Sequence, residues 1–204
     1  MKDDRISQEK IDETIAFHGH WCPGLAIGIR ASEWALLEMG ASTDEEIVAV
    51  VETDMCGVDA IQYLTGCTFG KGNLIYRDVG KNAFTFFRRR DNKGIRLVLR
   101  PSVYGEGSAL LGKLHQKMQR QGLTEEERKL WDETRQDASN RVMEADLDSV
   151  FECKEPEGPP PQKARILSSI TCEACGEGVM ESRTRRLAGE TLCIPCFDKK
   201  ERRQ

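Results

Sequence analysis

LIYRDVGKNAFTFFRRRDNKGIRLVL, residues 74–99, decides the fold. Three runs, 74–79, 83–89 and 94–99, are rich in β-branched, aromatic and other apolar residues. Gly80-Lys81-Asn82 and Asp91-Asn92-Lys93-Gly94 separate them, and both are good turn material. This hairpin-like spacing predicts largely antiparallel pairing. Working outward, residues 46–52 (EIVAVVE) read as a buried strand. Asp54-Met55-Cys56-Gly57 then reads as a strand-to-helix turn, and residues 58–64 as a short helix. Further upstream, Ile6, Ile11, Ile15 and Phe17 stripe a first helix over about residues 5–17. A second helix opens at Pro23 and stops at Gly40. Downstream, residues 104–121 read as a helix. Another starts behind an N-cap at Thr124, with acidic residues in its first turn, and runs to about Leu147. The fold class is therefore α+β: a mixed, largely antiparallel sheet with flanking helices. Residues 154–163 (KEPEGPPPQK) hold four prolines and read as a linker. The expected domains are 1–153, an α+β core, and 164–204, a small cysteine module.

Composition bounds the function. The 204 residues carry a net charge of −4, which argues against a dedicated nucleic-acid binder. No apolar run reaches the ~18 residues of a membrane span. The start of the chain, Met1-Lys2-Asp3-Asp4-Arg5, is charged with no apolar stretch behind it. A cytoplasmic protein without a secretory signal is expected. Eight cysteines in such a setting point to metal or redox chemistry rather than to disulfides.

Four of them form the clearest signal. Cys172-x-x-Cys175 and Cys193-x-x-Cys196 are separated by seventeen residues, as in four-cysteine zinc modules. Four thiolates close a tetrahedral Zn²⁺, so the metal is structural. Residues 179–192 fit a hairpin turning at Ala188-Gly189-Glu190, and Phe197-Asp198-Lys199-Lys200 fit a helix. That order is treble-clef-like. So short a segment cannot bury enough apolar surface to fold alone, so ligation must stabilise it. Residues 163–204 carry nine Lys/Arg and six Asp/Glu, a formal +3. Zn²⁺ with four thiolates brings this to about +1, a weak electrostatic case for nucleic acid even with Arg183, Arg185 and Arg186 clustered.

The second signal lies at the front. His18, His20 and Cys22 fall within five residues, and Cys56 and Cys67 each sit beside a glycine. Imidazole and thiolate are transition-metal ligands, so a mixed core site holding a second transition metal is one reading. A reactive site or redox dithiol is another, and plain burial of small cysteines is a third. Asp54 and Asp59 are candidates to orient an imidazole from behind, or to cap a helix. Gly66-Cys67-Thr68-Phe69-Gly70-Lys71-Gly72 fails the Walker pattern, because only three residues separate its glycines and no Ser/Thr follows the lysine. Lys71 stays a candidate anion contact. Trp21, Trp34 and Trp131 read as packing residues.

These residues resemble a known family, the FmdE family of formylmethanofuran dehydrogenase. The matching stretches are residues 17–25 with Gly28, 56–62, 64–75 and 78–81. The tail resembles the C4 zinc finger of the DksA/TraR type. The resemblance covers roughly residues 10–150. It implies an intertwined homodimer and an association with a molybdenum or tungsten oxidoreductase system, and it places the core site at His18, His20, Cys22, Cys56 and Cys67. Three functions follow as expectations. The first is an accessory metalloprotein whose zinc module docks an oxidoreductase component or another protein partner. The second is a regulator contacting nucleic acid or polymerase. The third is an enzyme using Cys56 or Cys67 with His20.

Overall fold

The computed structural model describes residues 6–40, 46–105 and 107–202. Readings that touch residues 1–5, 41–45, 106 and 203–204, including a first helix beginning at about residue 5, lie outside the described residues there. The chain divides into two compact units, Met1–Lys163 and Ala164–Gln204.

The first unit starts with α1 (Gln8–His18), capped by the Ser7 hydroxyl and ended by Gly19 at φ +93°. Next comes α2 (Pro23–Met39), with Cys22 at its N-cap accepting from the Leu25 amide and Pro23 in the first turn. Eleven of its residues are buried, so α2 is a central helix packed on several sides. β1 (Ile47–Val51) is buried at every position. A strand apolar on both faces needs cover on both, and neighbours along both edges. α3 (Gly57–Thr65) leads to β2 (Leu74–Tyr76), which pairs parallel with β1, Val50 opposite Ile75. β3 (Ala83–Arg88) takes the other edge of β1, antiparallel, with Ala49 opposite Phe86. β4 (Lys93–Leu99) continues the antiparallel series.

After a 3₁₀ turn at Pro101–Tyr104 come α4 (Gly107–Gln121), α5 (Glu125–Glu144), the short α6 (Leu147–Val150) and β5 (Phe151–Lys154). Thr124 and Glu127 form a reciprocal capping box at the start of α5. β5 pairs with β4, Leu99 opposite Phe151, so the sheet order is β2-β1-β3-β4-β5.

The sheet is mixed and largely antiparallel, as expected, but three details differ from the sequence reading. Residues 74–79 and 83–89 do not pair with each other: β1 lies between their strands. The segment between them folds over the end of β1, where the Arg77 and Lys81 amides donate to the Val51 and Glu52 carbonyls. β5 is a strand that the sequence reading does not predict. Nor is 154–163 a free spacer, since Lys154 lies in β5 and Pro161 accepts a hydrogen bond from Arg89 at 2.5 Å. A Cβ on Gly94 would meet Pro156 at 2.7 Å, so the proline-rich stretch lies against β4.

The main core packs Ala49, Val51, Phe84, Phe86, Leu97 and Phe151 against Ala26, Ile27, Ala31 and Ala35 of α2. Val48, Val50 and Phe87 form the smaller cluster on the opposite face.

The second unit holds β6 (Ser169–Thr171) paired with β7 (Gly178–Met180), and β8 (Thr184–Leu187) paired with β9 (Glu190–Cys193), followed by α7 (Ile194–Glu201). The β8–β9 turn is where expected, with Ala188 and Gly189 both at positive φ. Its core is small: Cys172, Leu192 and Cys193, with Val179, Leu187 and Phe197 against them.

One contact sets the geometry of the larger unit. A Cβ on Gly28 of α2 would lie 2.1 Å from the carbonyl oxygen of Gly57 and 2.5 Å from its Cα. Only glycine lets the two helices approach so closely. Gly28→Ala is expected to destabilise the protein by about 3 kcal/mol or more, because the clash is with backbone. Gly112→Ala on α4, where a Cβ meets nothing within 4 Å, is expected to be stabilising by roughly 0.5–1 kcal/mol. Urea unfolding of both variants checks the pair.

Candidate metal centre

Four side chains converge where α1, α2 and α3 meet. His18 is the last residue of α1, His20 follows the left-handed Gly19, Cys22 caps α2, and Cys56 precedes the first turn of α3. One ligand atom from each lies within 4.8 Å of the others. The two imidazoles sit with ring centroids 4.4 Å apart. Ligand atoms around a tetrahedral ion stand about 3.3–3.8 Å apart, so small side-chain adjustments would close the set.

The electrostatics favour a cation. His18 Nδ1 lies 2.7 Å from Asp59 Oδ2, which fixes the ring and leaves Nε2 pointing inward. That Nε2 is buried and has no hydrogen-bond partner. An unpaired buried polar atom is costly unless a ligand satisfies it. Burial, then His18, then Arg135 push the His20 imidazole below its ordinary range, which keeps it neutral and able to ligate. Cys22 is buried, and Cys56 is partly so. Burial first, and then the neighbouring Cys22 sulfur, raise the Cys56 thiol. A raised thiol is a poor free nucleophile, which weighs against the enzyme reading.

Of the five expected core ligands, the structure gathers four and separates Cys67. That thiol is fully buried, donates to the Ile47 carbonyl at 3.4 Å, and is pushed up by burial. It lies beyond the C-terminal end of α3, while Cys56 lies at its start. At 1.5 Å per residue the helix holds them about 15 Å apart. Cys67 is a small core residue, and it shares neither a metal nor a dithiol with Cys56.

Of the two carboxylates expected to orient an imidazole, Asp59 reaches one. Asp54 is exposed, with no imidazole bond among the described residues. Lys71 belongs to a turn organised by protein groups: its amide donates to the Thr68 hydroxyl, and the Thr68 amide to the buried Asn73 side chain. The third histidine, His115, is not one of the gathered donors and stacks on Trp131.

Gly24 lies over both sulfurs. A Cβ there would stand 3.7 Å from Cys56 Sγ and 3.9 Å from Cys22 Sγ. Beside it opens a mostly apolar cavity of about 330 Å³, reached by Phe84, Tyr104, Trp131 and Arg135. Sequence reading misses these residues, because they come from β3, a 3₁₀ turn and α5 and share no motif.

The second unit gathers its four cysteines as expected. The sulfurs of Cys172, Cys175, Cys193 and Cys196 lie within 4.8 Å of one another. Backbone amides of Cys193, Cys175 and Ala174 hold the Cys172 thiol down at about 6. The Cys193 sulfur is the first cause that pushes Cys196 up to about 12. Four sulfurs crowded in this way are a donor set for a soft or borderline divalent cation, and a closed S₄ set suits structural zinc.

The family models agree with this division of the chain. Residues 17–152 match FmdE, described as molybdenum formylmethanofuran dehydrogenase operon, and residues 165–202 match the prokaryotic DksA/TraR C4-type zinc finger. A curated relative, a probable S-adenosyl-L-methionine-binding protein of Archaeoglobus fulgidus, is 36% identical over 194 residues, covering 88% of this chain and 50% of the relative. The chain thus spans about half the length of that relative. A crystal structure of a tungsten formylmethanofuran dehydrogenase FmdE-like protein from Syntrophus aciditrophicus shares the fold, with a TM-score of 0.64 at 24% identity over 97% of this chain and 96% of that one. The FmdE match begins just before His18, ends in β5 and takes in most of the chain, so the chain belongs to the FmdE family and carries a C-terminal DksA/TraR-type C4 zinc finger.

Proposed function

We propose that this protein is an accessory metalloprotein, with a transition metal held at His18 Nε2, His20, Cys22 and Cys56 and a structural zinc in the finger. The observation that carries the reading is the buried, unpartnered His18 Nε2. Its ring is braced by Asp59, and three further donors face it. Two nitrogens and two sulfurs suit Zn²⁺ and other borderline divalent ions. The finger, treble-clef-like in its order of knuckle, hairpin and helix, would dock a protein partner. The family description supports an oxidoreductase system containing molybdenum as that partner's setting. We place the protein in the cytoplasm, as a homodimer. No described helix is long and apolar enough to cross a membrane. Met118 of α4 and Leu130 of α5, both exposed, support the α4–α5 hairpin as the dimer surface.

A second reading is S-adenosylmethionine binding, the property in the Archaeoglobus relative's name. The aromatic cavity beside the metal centre favours it. Calorimetric titration with S-adenosylmethionine tests it, and absence of heat with fully metallated protein would remove it.

Native mass spectrometry of the purified protein is expected to show two metals per chain. Cys56→Ala with His20→Ala should lose one and keep the finger zinc. Asp59→Asn should weaken the core metal by about 10–100-fold, because His18 loses its brace. A single zinc per chain, unchanged in every variant, would refute the core site. In the finger, Cys193→Ser should abolish amide protection over residues 164–202 and leave the core helices protected, as hydrogen exchange would reveal. Each unit has its own hydrophobic core, and the smaller one depends on its metal.

A further inference from the structure

The cavity beside the metal centre contains groups that the metal does not explain. Arg135 reaches it from α5 and makes no ion pair among the described residues; its guanidinium packs 5.7 Å from the Trp131 ring centroid. A guanidinium at an apolar wall without a counter-charge can receive an anion. Thr53 is only 4% exposed and lines the same space, and its hydroxyl finds no hydrogen bond among the described residues. The Tyr104 hydroxyl also lacks a partner there. Phe84 and Trp131 supply flat apolar walls. Gly24, with no side chain, opens the floor toward the two sulfurs. An apolar cleft of this size with a few converging polar groups is the usual form of a small-ligand site.

We propose that this cavity binds a small organic carboxylate with a flat apolar body, its carboxylate on Arg135, its ring among Phe84, Tyr104 and Trp131, and its far end toward Gly24 and the metal. The proposal rests on the metal-centre reading for what the pocket serves. It stands on the cavity's own geometry for what the pocket holds. A carboxylate fits better than a larger anion. One guanidinium offers a bidentate fork, and the two free hydroxyls can donate to remaining lone pairs. A phosphoryl group would bring further charge, and no second cation lines the cavity among the described residues.

The test is calorimetric titration of the full chain, metal-loaded and chelator-stripped, with 3-phenylpropanoate and with its neutral amide. The acid has neither amine nor sulfonium, so it reports the Arg135 contact separately from any S-adenosylmethionine binding. Wild type should bind the acid about tenfold more tightly than the amide. Arg135→Gln should erase that difference, with circular dichroism showing the fold retained, because Arg135 is only half-buried and makes no ion pair among the described residues. Thr53→Val should weaken the acid. Equal affinity for acid and amide in wild type would overturn the proposal without recourse to any variant, as would full binding by Arg135→Gln. No binding by protein that carries its core metal would overturn the pocket and leave the metal centre standing. Arg135-dependent binding to protein that never takes up a core metal would support the pocket and sink the metal reading instead.

Discussion

The contact between Gly28 and Gly57 is the constraint on which the rest of the larger unit depends. A helix pair is ordinarily held 8–10 Å apart by the side chains between its axes. Here two glycines meet backbone to backbone, and a Cβ on Gly57 would itself lie 2.9 Å from the Gly24 carbonyl. The start of α3 is thereby pressed onto the start of α2. Cys56 and Cys22 each stand immediately before one of those starts, so the sulfurs meet as a consequence of helix packing. The histidines arrive because Gly19 ends α1 in a left-handed conformation and turns the chain back toward α2.

Once the four donors are together, their chemistry follows from burial and crowding. Two sulfurs and two imidazoles at this separation resist taking a positive charge or two adjacent negative ones. A divalent cation relieves both at once, since it needs neutral imidazole and deprotonated thiol. The Asp59–His18 hydrogen bond orients the ring. The lowered His20 and raised Cys56 are opposite responses to crowding, in which desolvation acts first and His18 and Arg135 add to it at the imidazole, Cys22 at the thiol.

Much of this is legible in the sequence, and the omissions have physical causes. Periodicity and glycine or proline stops find α2, β1, α3 and α5, because each has strong local signals at its ends. Cysteine spacing locates the finger ligands, because two adjacent C-x-x-C turns act locally. Pairing across the sheet is not local. The run 74–79 looks like half of a hairpin, yet a wholly apolar β1 requires a strand on each edge. β5 is hidden because only Phe151 of its four residues is buried. Cys67 is misplaced by the sequence reading although the sequence holds the clue: eleven positions from Cys56 with a helix between them is a separation. The cavity leaves no trace, since Arg135 reads as one more charge on a solvated helix until the fold sets it beside Tyr104 and Trp131.

The two cysteine clusters sit in different surroundings. In the finger, a core of three buried residues is too small to hold its hairpins without ligation. Its four sulfurs leave no vacant coordination position, so exchange there would cost the fold. In the core, the sheet and α2 already bury an extensive hydrophobic cluster without any contribution from the His/Cys site. The fold of that unit is therefore supported by packing rather than by ligation. His20 is exposed and is carried on a short link behind Gly19. On the proposed reading, a donor set built on a self-supporting scaffold, with one exposed member on a short link and a cavity lined by Gly24, suits exchange and access rather than structural support.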